Sequence, residues 1–152
     1  MSDKYSATGL QTAVEASPGE TCLAIVASTL TRGSVYDYVF SHGGTAADNV
    51  VTWVIQRFTV AGTEGAGVTP APLDPDAPAA QLDGAEDHSV EPTYTAATEL
   101  LDFDLNQRAT FRWVAAPGGE LVTPATAANG IGAQVFSAAY TGVANCTTMW
   151  EE

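Results

Sequence analysis

Two histidines, His42 and His88, are the only side chains in this sequence that titrate near neutrality. His42 lies in SHGGTAADN, a stretch that predicts a strand-to-loop turn and a surface role. His88 closes the run Asp83-Gly84-Ala85-Glu86-Asp87-His88. Such an oxygen-rich loop suits a hard cation like calcium. The D-x-D-x-D-G ligand spacing is missing, however, so the run is expected to be a solvated loop. Asp74 and Asp76, in LDPDAP, predict Asx-type turns beside prolines. Asp102 and Asp104 share one strand face at about 6.8 Å by the strand rise, a separation that a glycosidase pair can have. No aromatic cleft signature surrounds them, and Arg112 is a candidate partner for Asp102. No G-x-S-x-G, H-E-x-x-H, P-loop or dinucleotide pattern occurs. AGTEGAG has neither the following helix nor the Lys of a phosphate cradle. The expectation is a protein that is not an enzyme, with no metal and no cofactor.

Cys22 and Cys146 are far apart and fit no C-x-x-C or zinc spacing. Each sits in an apolar or Thr-rich run, which predicts reduced, packed thiols. A single disulfide tying the first and last strands is the other arrangement the spacing allows. Trp53 and Trp113 lie in apolar strands and are expected in the core. Trp150, beside the C-terminus, is a candidate for an intersubunit contact.

The elements that would position these residues are strands. Gly and Pro make up 22 of 152 residues and punctuate runs rich in Val, Ile, Thr, Tyr, Phe and Trp. Strands are expected at 6–14, 21–29, 34–41, 50–60, 90–95, 99–105, 108–115, 119–123, 131–140 and 145–150. Such a set fits an all-β antiparallel two-sheet β-sandwich of jelly-roll type. Period two puts Leu101, Phe103 and Leu105 on one face, and Phe111 and Trp113 on one face. A hairpin over Asn106-Gln107-Arg108 would then pair Phe103 with Phe111, Leu101 with Trp113, and Asp102 with Arg112; a jelly roll would instead allow the two strands to lie in opposite sheets. Residues 61–89 hold four of the eight prolines. They predict a long Pro- and Asp-rich loop or arm, with room for one helical turn at PAAQLDG, inside a single domain spanning 1–152.

The net charge of −13, with only five basic residues, argues against nucleic acid and against an anionic membrane. Between Arg57 and Arg108 there are ten acidic residues and no basic one. That excess predicts a solvated acidic face. The length suits one domain, for which area scaling predicts roughly 7,300 Å² of folded surface against roughly 22,800 Å² unfolded. No apolar segment of signal-peptide or transmembrane type is visible, and synthesis in a cytoplasm without export is the simplest expectation.

The stretches ADNVVTWVIQRFTVAGT, VTPAPLDPDAPAA and LNQRATFRWVAAPGGELVTPATAANGIGAQVFSAAYTG together resemble the capsid decoration (head auxiliary, or cement) proteins of tailed bacteriophages. The likeness runs from about residue 7 onward and includes no catalytic signature. It implies a virion protein, made in the host bacterial cytoplasm and bound to the outer capsid surface. Its partners would be the major capsid protein and further copies of itself, commonly as a homotrimer. It would brace the expanded shell by mass action over many copies. Candidate contact residues are Pro70, Leu73, Pro75 and Pro78 of the arm, Tyr5, Leu10, Met149 and Trp150 near the ends, and Arg57 and Arg108. A head-fibre, tail or receptor-binding module of the virion is the competing expectation. A glycan-binding sandwich, with Tyr36, Tyr38 or Tyr94 as platform, is the third.

Overall fold

The computed structural model describes residues 2–152. It contains twelve strands: β1 (Lys4–Gln11), β2 (Glu20–Val26), β3 (Ser34–His42), β4 (Val50–Val60), β5 (Ala66–Val68), β6 (Ala71–Pro72), β7 (Asp83–Glu86), β8 (Thr93–Asn106), β9 (Phe111–Val114), β10 (Leu121–Val122), β11 (Gly130–Phe136) and β12 (Ala144–Glu151). All pairings are antiparallel. They form two sheets. One runs β10-β3-β12-β1-β6, with β9 also on the free edge of β3; the other runs β5-β7-β2-β11-β4-β8. The two pack face to face as a β-sandwich. The first strand pairs with the last and β2 with β11.

Alternation explains the packing. In β1, Tyr5, Ala7 and Gln11 point inward while Lys4, Thr8 and Leu10 face out. In β12, Ala144, Cys146, Thr148 and Trp150 point inward. These meet Leu23, Ile25, Trp53, Ile55, Ile131 and Val135 from the other sheet in one core. Each fully buried aliphatic side chain there contributes about 1.5–3 kcal/mol. The exposed surface is 7277 Å², in line with the scaling for this mass. A second, smaller cluster lies on the outer face of the β2–β11–β4 sheet, where Phe58 and Tyr94 cover Ala24 and Ala85. Gly132 makes room for it, because a Cβ there would stand 2.2 Å from the Tyr94 hydroxyl.

Three expectations change. The runs 90–95 and 99–105 are one strand, β8, with irregular pairing to β4. The region 61–89 carries three strands and no helical turn at PAAQLDG. Most consequentially, β8 and β9 are not a hairpin: β8 pairs with β4 and β9 with β3, in opposite sheets. Phe103 and Phe111 therefore meet across the sandwich, with ring centroids 4.9 Å apart. The physical reason is Gln107. Its buried side chain accepts from the Ala47 amide at 3.1 Å and donates to the Thr45 carbonyl at 2.8 Å. That anchor turns the chain from one sheet to the other.

Candidate functional site

The free edge formed by β8, β9 and β10 is the most unusual surface of the molecule. Its side chains alternate correctly for a core, yet the edge lacks a cover. Leu101, Phe103, Leu105, Trp113 and Leu121 are only partly buried against the core. Phe111 remains 36% exposed and Val114 55% exposed. Phe111 stacks on Phe40 at 6.3 Å, and Trp113 tilts on Tyr38 at 6.2 Å. An uncovered sheet edge with apolar side chains favours association with another chain.

The four arginines gather along this edge. Arg112 of β9 forks onto Asp37 of β3, Nε donating to Oδ1 at 3.0 Å and Nη2 to Oδ2. This corrects the expected Asp102 partner: Asp37 lies on the neighbouring strand of the same sheet, whereas Asp102 is in the other. Asp37 is buried while Arg112 keeps most of its side chain in water, and the carboxylate holds the guanidinium pKa above its ordinary value. Arg108 pairs with Asp48 at 3.1 Å, both exposed, a contact of about 0–1 kcal/mol. Arg57 faces the interior end of β4 and reaches across the sandwich, Nη1 donating to the Val122 carbonyl at 2.6 Å. Arg32 donates from Nε to the next carbonyl, Thr123, at 3.4 Å.

The opposite edge is closed by the Pro-rich region, which lies on its own domain. Leu82 plugs the core at 0% exposure. The Tyr5 hydroxyl donates to the Pro78 carbonyl at 3.0 Å, and the Leu73 amide donates to the Lys4 carbonyl at 2.8 Å. The Gln81 and Leu82 amides donate to the Glu152 carboxylate at 2.8 and 3.4 Å. Pro75 and Leu73 stay exposed, Pro70 is half-buried, and Asp74 accepts from the Asp76 amide at 3.0 Å in the expected Asx turn.

Other candidate residues separate. Tyr5 and Trp150 are core residues, with ring centroids 6.0 Å apart, so an outer contact through them is corrected. Period two in β1 and β12 could have shown this. Leu10 is exposed and Met149 half-buried, both on the outward face. Tyr38 is buried, which removes it from any glycan platform, and burial pushes its phenol pKa up. The Tyr94 hydroxyl lies 2.6 Å from the Thr21 hydroxyl. Tyr36 carries the Lys4 ammonium 5.4 Å from its ring centre. Cys22 and Cys146 are free, buried thiols whose pKa values burial raises, so the disulfide alternative is not realised.

His42 is part of the fold, with Nε2 accepting from the Trp53 indole at 2.9 Å. Burial lowers its pKa. His88 has both ring nitrogens buried without a partner. Its pKa too is lowered by burial, against the opposing pull of Glu91, Glu64 and Asp87. Asp104 accepts from Thr52 at 2.6 Å. Glu20 has its pKa raised, first by burial and then by Glu15 and Glu91. These carboxylates border a cleft of about 570 Å³ at the start of β2. No family model, curated protein or solved structure matches this chain.

Proposed function

We propose that this chain is a structural virion protein of the capsid decoration class, which binds the outside of a phage head and stabilises the expanded shell. One observation carries the reading. The segments that resemble decoration proteins supply β9, β10 and the last residues of β8 at the uncovered apolar edge, along with β4 and β11 inside the second sheet and β6 at the closed edge. A sandwich with one closed and one open edge has a ready surface for a protein partner. The net charge of −13 disfavours nucleic acid as that partner.

The experiment is co-sedimentation of the purified protein with expanded shells of its own phage that lack it. Saturable binding at hundreds of copies per shell is expected. Val114→Lys, at an exposed position of β9 opposite Asp37, should weaken binding with little change in the melting temperature. A protein that leaves shells in the pellet and stays in the supernatant is not a decoration protein. A few copies per intact particle would instead mark a fibre, tail or receptor-binding module.

A further inference from the structure

We propose that the outer edge of β8 takes an extended segment of another protein as a seventh strand, one whose side chains alternate between apolar and basic. β8 ends its six-stranded sheet, with β4 as its neighbour on the inner side. Leu101–Leu105 pair in unbroken register with Ile55–Val51 of β4. Among the described residues, no backbone group of these five bonds to anything beyond that ladder. Five residues in a row with a free outer edge form a template of roughly 17 Å at the ordinary strand rise. β9 offers only four residues, and its outward Arg112 is already held by Asp37.

The two rows of side chains on β8 specify what the segment must carry. Inward, Leu101, Phe103 and Leu105 pack against the core but stay partly exposed. A strand laid beside them covers that area with apolar side chains of its own. Outward, Asp102 and Asp104 alternate with that row and are exposed. Asp104 uses one oxygen on the Thr52 hydroxyl, and neither carboxylate is in an ion pair among the described residues. Side chains directly opposite them in an added strand are therefore best as Lys or Arg. A slip of one residue would set those cations against Phe103, so the alternation also fixes the register.

Nothing in the molecule itself supplies the countercharge. All five basic residues are engaged elsewhere: Lys4 lies over the Tyr36 ring, Arg32 and Arg57 bond to the Thr123 and Val122 carbonyls, and Arg108 and Arg112 pair with Asp48 and Asp37. Nor does the edge suit the same edge of a second copy. Two β8 strands paired antiparallel about Phe103 would set Asp102 of each opposite Asp104 of the other, and like charges so placed repel. The segment belongs to a different protein. Strand addition of this kind takes its affinity from backbone bonds and its specificity from alternate side chains. Asp102 and Asp104 lie outside the stretches that carry the resemblance, so the site is read from the edge alone. Only the source of the segment, an extended arm of the shell protein, rests on the decoration reading.

The test has two arms, both on the full chain. In the first, the synthetic peptide acetyl-Lys-Val-Lys-Val-Lys-Val-Lys-amide is titrated while amide hydrogen exchange is followed. Binding should slow exchange at the outer-edge amides within Leu101–Leu105, and the same peptide with Glu in place of Lys should leave them unchanged. In the second arm, variants are co-sedimented with shells that lack the protein. Asp102→Lys/Asp104→Lys should weaken binding about tenfold or more, because like charges then face each other. Asp102→Lys alone keeps the Thr52–Asp104 bond and should weaken binding in the same direction, with melting curves showing that each variant folds. Asp74→Lys/Asp76→Lys makes the same charge change at the closed edge and should alter binding less than about twofold at physiological salt, where remote charges are screened. Shell binding unchanged by the folded β8 variants would overturn the proposal and leave the decoration reading standing. A wild type that ignores shells would sink the decoration reading, and the peptide arm then decides the edge by itself. A peptide that does not bind, or binds without protecting those amides, would overturn the proposal. So would protection that grows with protein concentration in the absence of peptide, which would assign the edge to a second copy.

Discussion

The two edges of the sandwich solve one problem in opposite ways. A sheet edge presents unpaired backbone groups and half-covered side chains. On the β1–β7 side the chain covers its own edge: Leu82 enters the core, and Tyr5, Lys4 and Glu152 bind the covering segment. On the β8–β9 side no segment among the described residues does so, and Phe111 and Val114 stay exposed. Stability is concentrated where the cover is intramolecular. The open edge keeps apolar area for a partner.

That contrast can be broken most directly by substitution. Leu82→Ala removes a fully buried plug and should cost about 2–5 kcal/mol in denaturant unfolding. Val114→Ala on the open edge should cost no more than about 0.5 kcal/mol. Equal costs would mean that the edges do not differ. Gly132→Ala probes a third kind of cover, the Tyr94 side chain on the outer face. A Cβ there meets the Tyr94 hydroxyl, and overpacking should cost about 1–3 kcal/mol.

Acid should loosen the open edge through His42, which lies beside the Gly43–Ala47 loop that holds Gln107. Its folded pKa is below the ordinary 6.5. Its contribution is therefore complete above the unfolded value and is lost as the pH falls from there through the folded one. Protonation turns the acceptor for the Trp53 indole into a donor, an effect of about 0.5–1.5 kcal/mol. Urea midpoints followed by tryptophan fluorescence should fall over that window, and His42→Gln should reduce the fall, leaving the part that belongs to His88. Glu20 has the opposite sign. Its raised pKa makes the ionised form unfavourable in the fold, so Glu20→Gln should stabilise at neutral pH by less than about 1 kcal/mol. The gain should vanish as the pH drops below the ordinary carboxylate range. Cys22 and Cys146, in the closed core, should react with a thiol reagent only as fast as the protein unfolds.

By itself the sequence determined the all-β class, the places of the longer strands and the acidic character. Alternation and turn residues are local properties, and β3, β4 and β11 follow from them. The Asx turn at Asp74 was legible for the same reason. Only the tertiary structure decided which strands became neighbours. Period two gives the inward face of Phe103 and Phe111, but a residue facing inward in a two-layer protein belongs to either sheet. Gln107 settled that choice through bonds to a loop about 60 positions away, a partner no local pattern names. The same holds for Arg112, which took Asp37 across a strand pair far apart in the chain. It holds for the Pro-rich region as well. Its composition predicted an extended segment, but whether it reached outward or folded back depended on Tyr5, Lys4 and Glu152, at the two ends of the sequence. Only folding brought those residues to one edge, where they close the edge over Leu82.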